Sequence, residues 1–146
     1  MIRAMTEFDL SSFLPYQLAV ASARTSRAFA DRYQSEFGLS IAEWRVLAHL
    51  AQSGAVSVRE IQARVDMDKS RVSRAATRLE TAGFVAKHAH PTDGRLVDLS
   101  LTEAGRALFA RLVPVALAYQ AELIARLGPA ADPFRTALAR MTEDPQ

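Results

Sequence analysis

Apolar side chains recur at helical spacing along most of the chain, and this pattern predicts a mainly helical protein. The first helical segment is predicted over residues 10–37 and is followed by Gly38, a natural C-terminal stop. Ser40, Ser57 and Asp68 are predicted to cap the next three helices. Strands are predicted over residues 84–90 and 96–101, followed by helices over 103–127 and 130–142.

The two short helices before the strands are separated by a three- or four-residue turn. Two such helices followed by a β-hairpin form a winged helix-turn-helix, whose second helix lies in a DNA major groove. The expected fold class is therefore mainly α with a small β-hairpin wing. A winged helix-turn-helix core over 40–101 is flanked by outer helices over 10–37 and 103–142, which present apolar surface for dimerisation.

The polar face of the predicted second helix combines short hydroxyls with guanidinium groups. Its carboxylates, Asp68 and Glu80, stand only at the two ends. Arginine donates in a fork that suits guanine edges or phosphates, and short hydroxyls allow the helix to approach closely. The alternative is an ordinary solvated face. The hypothesis favoured by the context is a DNA-binding face formed by Ser70, Arg71, Ser73, Arg74, Thr77 and Arg78.

The predicted hairpin turn contains a second candidate DNA contact. Asp93-Gly94-Arg95 places a guanidinium on a projecting loop, with a carboxylate two residues away that can hold it. An arginine on such a tip suits the narrow, electronegative minor groove. Lys87, on the preceding strand, is a candidate phosphate contact. The alternative is a hairpin turn that happens to precede an arginine.

Composition excludes several classes of function. The 146 residues are 49% hydrophobic, which favours a packed domain, and the absence of cysteine excludes disulfides and thiolate metal sites. No apolar run approaches ~18 residues and the N-terminus has no leader-like pattern, so we expect a cytoplasmic protein without a membrane span. His88 and His90 could ligate zinc, but the chain has no cysteine and His49 is its one other histidine. We expect no metal, no cofactor and no enzyme activity, because no catalytic motif is present.

Charge is distributed unevenly along the chain. Residues 57–95 contain eight Lys/Arg and five Asp/Glu, an excess of three positive charges, whereas the whole chain has a net charge of +2. The predicted winged core is therefore more basic than its flanks, as expected for a module that faces a polyanion.

Three stretches together resemble the multiple-antibiotic-resistance regulator (MarR) family of bacterial transcription factors. They are EWRVLAHL, SVREIQARVDMDKSRVSRAATRLETAGFV and PTDGRLVDLSLTEAG. The resemblance implies a single domain over 1–146 that forms homodimers, with Asp93 and Arg95 supplying the minor-groove contact. It also implies that Ser70, Arg71, Ser73, Arg74 and Thr77 face the groove. Family wings often have arginine where this chain has Gly94.

The resemblance further suggests a small-molecule effector, commonly an aromatic or phenolic acid. Arg45 and His49 share one helix face beside Trp44, and Ser22 and Ser26 share a face of the first helix. A cation and hydroxyls above apolar walls suit an aromatic carboxylate. The alternative is that Arg45 pairs with a surface carboxylate and that His49 is an ordinary helix residue.

These observations favour a homodimeric repressor that an aromatic or phenolic acid releases from a pseudopalindromic operator on double-stranded DNA. Two alternatives remain. One is a winged-helix protein-interaction module that docks an acidic partner, and the other is a regulator that needs no effector.

Overall fold

The computed structural model describes residues 7–65, 67–95 and 97–143. Short 3-10 turns lie at Leu10–Ser12 and Gly128–Ala130, and the strands are β1 (Val56–Ser57), β2 (Val85–Ala89) and β3 (Val97–Leu101). The helices are α1 (Leu14–Phe37), α2 (Ile41–Ser53), α3 (Val58–Val65), α4 (Lys69–Thr81), α5 (Glu103–Leu127) and α6 (Ala131–Thr142). The predicted fold class, a mainly helical chain with a winged helix-turn-helix, is confirmed.

The first helix starts later than predicted. The 3-10 turn is capped by Asp9, whose side chain accepts a hydrogen bond from the Ser11 amide, and the chain then becomes extended at Phe13. Pro15 lies in the first turn of α1, where its missing N–H group leaves no hydrogen bond unmade. The predicted helix over 10–37 is therefore a 3-10 turn followed by an α-helix.

The wing contains a strand that the hydrophobic pattern did not predict. β1 has two residues and pairs antiparallel with β3, with Val56 opposite Leu99, so that β3 lies between β1 and β2. Two residues are too few to show an alternating pattern. The hairpin of β2 and β3 pairs Val85 with Leu101 and Ala89 with Val97; Leu96, predicted to begin the second strand, lies outside the described residues.

The interior of the winged core is formed by apolar side chains from every element of the helix-turn-helix and the wing. Those with at most 1% exposure include Leu47, Ile61, Val72, Leu79 and Leu99. The predicted capping box of α2 is present, because the Glu43 amide donates to Ser40 Oγ at 3.1 Å and the Ser40 amide donates to Glu43 Oε2 at 3.4 Å.

The start of α5 is fastened to the end of α4 through a close backbone approach. Thr102 Oγ1 donates to the Gly83 carbonyl at 2.7 Å and accepts from the Gly105 amide at 3.0 Å. A Cβ atom on Gly105 would overlap the carbonyl oxygen of Phe84. Glycine is therefore required at this position by close packing, since its φ is not in the left-handed region.

The chain divides into two compact units within α5, the first ending at Ala110 and the second beginning at Arg111. In the second unit Leu112, Tyr119 and Ala131 are buried. Large apolar side chains that remain 37–58% exposed there are Leu117, Ile124, Leu127, Phe134 and Met141.

One helical region among the described residues is long and apolar enough to span a membrane by length and composition alone. The helical region Glu103–Thr142 contains an 18-residue window of mean hydropathy 1.4, of which 17% is buried. A single window of this kind is weak evidence for insertion, because an apolar helix of a soluble protein passes the same test.

Candidate nucleic-acid interface

Helix α4 buries one face and leaves its hydroxyl- and arginine-rich face outside. Val72, Ala75, Ala76 and Leu79 are buried, whereas Ser70, Arg71, Arg74, Thr77 and Arg78 are exposed and Ser73 is half-buried. The periodicity of the sequence placed these side chains on the correct sides of the helix.

Asp68 holds the first turn of α4 in place. Its Oδ1 accepts hydrogen bonds from Ser70 Oγ at 2.7 Å and from the Arg71 amide at 2.9 Å. The Ser70 hydroxyl, followed by the Arg71 amide and the charges of Arg71 and Arg74, lowers the pKa of Asp68 below its usual value. The carboxylate therefore stays ionised at the positive end of the helix dipole. The Ser70 hydroxyl already donates a hydrogen bond to Asp68, so its oxygen can only accept a hydrogen bond from a donor on the DNA.

The middle of α4 is linked to the wing by hydroxyl groups. Thr77 Oγ1 donates to the Ser73 carbonyl at 3.0 Å and accepts from Lys87 Nζ at 3.1 Å. Lys87 also lies 3.6 Å from Glu80 Oε1. Lys87, the predicted phosphate contact, therefore lies beside the C-terminal half of α4, and its ammonium group also contacts the carboxylate of Glu80.

Arg78 is bound to the protein itself. Its Nε lies 3.0 Å from Oε1 of Glu43. Glu43 is only 8% exposed, whereas the Arg78 side chain is 60% exposed. The same carboxylate accepts the Ser40 amide in the capping box. Glu43 therefore ties the N-terminus of α2 to α4. The capping box was evident in the sequence, but this second contact joins residues 35 positions apart and left no local signal.

The wing tip has the geometry that its sequence predicted. Asp93 Oδ1 accepts from the Arg95 amide at 3.1 Å and from Arg95 Nε at 3.2 Å. The Arg95 side chain and amide lower the pKa of Asp93, so the carboxylate is charged when it orients the guanidinium. The Arg95 side chain is 92% exposed and so remains available to a partner.

The two wing histidines have separate structural partners. His90 Nδ1 accepts from the amides of Thr92 and Asp93, each at 3.2 Å, and so shapes the turn that leads to Arg95. His88 Nε2 lies 2.9 Å from Ser100 Oγ. Over residues 7–65, 67–95 and 97–143 no group of three metal-ligating side chains is found.

The candidate effector residues line two different cavities. Ser22, Ser26 and Arg45 lie around a cavity of about 420 Å³ between α1 and the start of α2, which Arg71 of α4 also lines. Within it, Arg45 Nη2 donates to Ser26 Oγ at 3.4 Å. The two serines of α1 are thus brought together with Arg45 of α2, whereas the helical spacing had paired residues only within each helix.

Trp44 and His49 line a second cavity of about 290 Å³, to which Arg45 also contributes. Trp44 belongs to an aromatic cluster, stacked on Phe109 at 5.7 Å between ring centroids and edge-on to Phe29 at 5.0 Å. Burial, and then the charge of Arg64, lowers the pKa of His49, which is therefore neutral at pH 7.

A helix-turn-helix with an exposed arginine-rich second helix and a projecting arginine on its wing defines a winged-helix DNA-binding protein. The MarR family model matches residues 37–96. The chain is 32% identical over 111 residues to the HTH-type transcriptional repressor Rv2887 of Mycobacterium tuberculosis, covering 75% of this chain and 80% of the relative. It is also 38% identical over 72 residues to the HTH-type transcriptional repressor MdtR of Bacillus subtilis, covering 49% and 46% of the two chains.

Two solved structures support the same assignment. BpsR of Bordetella bronchiseptica, whose DNA binding is regulated by 6-hydroxynicotinic acid, superimposes with a TM-score of 0.81 at 27% identity over 95% of this chain and 99% of its own. The MarR family regulator SPO1453 of Silicibacter pomeroyi gives a TM-score of 0.77 at 32% identity, covering 92% and 98%. The chain belongs to the MarR family and is a DNA-binding transcriptional regulator, as the sequence motifs indicated.

Proposed function

We propose that the chain is a homodimeric repressor that binds a pseudopalindromic operator and is released by a small aromatic or phenolic acid. The observation that supports DNA binding most directly is the exposed set of Arg71 and Arg74 on α4 together with Arg95 on the wing. These side chains suit two neighbouring grooves of one duplex. The protein acts in the cytoplasm as one functional domain, without a membrane and without catalysing a reaction.

The proposed contacts differ in kind. Arg74 and Ser73 contact base edges or phosphates in the major groove, and Arg95, oriented by Asp93, enters the minor groove. Ser70 and Thr77, whose hydroxyls already donate to Asp68 and to the Ser73 carbonyl, offer acceptor oxygens to the amino groups of bases. Arg78 and Lys87 contribute less, because Glu43 and Glu80 already bind them and offset their charge.

Homodimer formation is supported by the exposed apolar side chains of residues 111–143, such as Leu117 and Phe134. A twofold dimer places two recognition helices one DNA turn apart, ~34–36 Å, and so selects a pseudopalindrome. The effector proposal is supported by Ser22, Ser26 and Arg45 around one cavity and by Trp44 and His49 beside another. It also agrees with the regulation of BpsR by an aromatic acid.

Gel-shift titration on the DNA upstream of the chain's own coding sequence tests the DNA contacts. Arg74→Ala is expected to weaken binding and relax sequence discrimination by ~1–3 kcal/mol if the side chain contacts a base. Arg95→Ala is expected to weaken binding with less change in base preference. Arg64→Ala, an exposed arginine that bonds Ser53 outside this surface, is the control. Unchanged affinity in both Arg74→Ala and Arg95→Ala would contradict the assigned roles.

The salt dependence of the same titration separates DNA binding from docking on an acidic protein. Phosphate contacts release counterions, so the logarithm of the affinity for DNA should fall linearly with the logarithm of the salt concentration. Failure to bind any upstream DNA at low salt would favour the protein-interaction alternative. DNA binding that no aromatic acid alters would favour a regulator without an effector.

A further inference from the structure

The turn at the wing tip is built around the ring of His90. We propose that His90 is a positioning residue for the minor-groove contact of Arg95, and that it acts only while its Nδ1 atom is unprotonated. Protonation of the ring then releases the turn, so DNA affinity depends on pH through the wing. This role of His90 rests on the proposed DNA contact of Arg95 and adds to it a residue that controls the contact.

The hydrogen bonds of the turn fix which ring nitrogen of His90 carries a hydrogen. A backbone amide N–H can only donate, and those of Thr92 and Asp93 both donate to Nδ1 at 3.2 Å. Thr92 Oγ1 lies at the same 3.2 Å from this atom. Nδ1 therefore has to accept, which requires the neutral ring with its hydrogen on Nε2. An imidazolium ion has hydrogens on both nitrogens and can accept neither amide.

The hydrogen bonds continue from His90 through Asp93 to the guanidinium of Arg95. The Asp93 amide donates to His90, and the Asp93 carboxylate accepts from the Arg95 amide at 3.1 Å and from Arg95 Nε at 3.2 Å. Asp93 is half-buried, whereas the Arg95 side chain is 92% exposed. Loss of the acceptor on His90 frees the backbone of Asp93. The guanidinium of Arg95 then loses the fixed orientation that suits the minor groove.

The other charged groups of the turn keep their charge where histidine changes its own, between about pH 5 and about pH 8. The hydrogen bonds from Arg95, followed by the charges of His90 and Arg59, lower the pKa of Asp93, which therefore stays ionised over this range. Arg95 and Arg59, the latter in α3, remain positively charged throughout. A pH response of the turn within this range therefore reports on a histidine ring.

The sheet brings two further ionisable side chains towards the turn. His88 lies two residues before His90 on β2, and its Nε2 is 2.9 Å from Ser100 Oγ. Asp98 of β3 is paired with His88 in the register of the hairpin. Because a second imidazole could add a pH response of its own, His88→Asn is the matched control for His90.

The ring and its two amides are tested first without DNA, by NMR of the isotope-labelled protein. At about pH 8 the His90 ring should have an unprotonated Nδ1 and a hydrogen on Nε2. The amide resonances of Thr92 and Asp93 should shift together with protonation of this ring as the pH falls to about 5. A hydrogen on Nδ1 at about pH 8, or amide resonances that do not follow the ring, would overturn the proposal.

Two substitutions separate the acceptor from the titrating ring. In His90→Asn the side-chain oxygen is bonded to Cγ as Nδ1 is, and asparagine commonly accepts from the backbone two residues on. This variant should keep the turn and lose its pH response, because an amide does not titrate. His90→Ala removes the acceptor and should release the turn at every pH. His88→Asn should leave the pH response of the Thr92 and Asp93 amides in place.

The effect on DNA is measured as the fold-change that Arg95→Ala causes in affinity for the upstream DNA, by fluorescence anisotropy. A ratio taken at one pH cancels the general attraction that extra positive charge adds at low pH. Arg95→Ala should weaken binding about tenfold at about pH 8, since a hydrogen bond to a charged group is worth at least about that factor, and less than about threefold at about pH 5. Combined with His90→Asn the loss should stay about tenfold at both pH values, and with His90→Ala it should stay below about threefold at both.

The outcomes separate this role of His90 from DNA binding itself. An Arg95→Ala effect of the same size at both pH values in the otherwise unaltered protein would overturn the proposal, as would a pH-dependent effect in His90→Asn. Failure to bind DNA, or no effect of Arg95→Ala at either pH, would refute the proposed DNA contact. The NMR measurements would in that case still decide whether Nδ1 holds the turn.

Discussion

The winged core over residues 40–101 and the helices over residues 111–143 use their apolar side chains in opposite ways. In the winged core the large apolar side chains of Leu47, Ile61 and Leu79 are at most 1% exposed. In the C-terminal helices Leu117 is 58% exposed and Phe134 is 41% exposed. One region therefore completes a hydrophobic interior within a single chain, and the other leaves apolar surface that another surface has to cover.

The same contrast separates two predictions from the sequence: which positions form the core of the winged domain, and what covers the apolar C-terminal helices. Periodicity along a helix shows which face is buried, and in the winged core that face is covered by other elements of the same chain. An apolar stripe on a long helix predicts that the stripe is covered, but it does not identify the surface that covers it. Four substitutions test this contrast, beginning with the largest expected effect.

Leu117→Asp is expected to disrupt association of the chain. Covering a leucine fully contributes ~1.5–3 kcal/mol, and a twofold dimer would lose this contribution twice. Sedimentation velocity should show a shift from dimer to monomer, and DNA affinity should fall with it. Ala51→Asp adds the same charge to an exposed alanine of α2 and should leave association intact. A Leu117→Asp dimer of unaltered strength would show that this face is not the interface.

Gly105→Ala is expected to destabilise the junction between the wing and α5. The added methyl group would overlap the Phe84 carbonyl oxygen and press on Leu101, and overpacking of this kind typically costs ~1–3 kcal/mol. Urea unfolding monitored by circular dichroism measures the change. Gly94→Ala is the matched control, because its added atom has nothing within 4 Å. Equal stability of the two variants would contradict the close approach.

Glu43→Gln is expected to lower stability by ~1 kcal/mol, because it removes the charge partner of Arg78 while retaining an acceptor for the Ser40 amide. The exposed pair of Glu60 and Arg64, at 3.8 Å, provides the comparison. Glu60→Gln should change stability by no more than ~0.5 kcal/mol. A double-mutant cycle with Arg78→Ala measures the coupling in chemical denaturation. Coupling no larger than that of the exposed pair would rule out a stabilising role for the contact between Glu43 and Arg78.

Tyr33→Phe is expected to leave stability unchanged or to raise it by up to ~1 kcal/mol. The Tyr33 side chain is fully buried, and its hydroxyl has no hydrogen-bond partner among the described residues. Removing a buried hydroxyl without a partner also removes its desolvation penalty. Thermal melting measures the change. A marked loss of stability would reveal a bound water or ligand on this hydroxyl.

Tyr33 also predicts a pH dependence. Burial, followed by the charge of Glu43 and opposed by that of Arg45, raises the pKa of Tyr33 to about 12 from its ordinary 10.0. The folded state then holds this proton more tightly than the unfolded state. The resulting stabilisation is complete below pH 10 and is lost as the pH rises towards 12. Tyr33→Phe should lack this alkaline loss, which unfolding curves measured across that range would show.

Several features of the interface were predictable because they depend on neighbours in sequence. Asp68 caps α4 from the position before it, and Asp93 holds Arg95 across two residues. Val72 and Leu79 are buried because helical geometry places them on one face. The role of Arg78 was predicted less well. Its exposure agreed with a DNA contact, but its ion pair with Glu43 spans two helices.

The sequence by itself determined where most of the helices after α1 begin, which face of α4 is polar and how the wing tip is held, since these depend on hydrogen bonds and side-chain directions over a few residues. Only the tertiary structure decided the pairing of β1 with β3, the close approach at Gly105 and the meeting of Arg45 with Arg71 around one cavity. Those contacts join residues far apart in the chain. Their geometry depends on how whole helices and strands pack, which no local pattern of polar and apolar residues encodes.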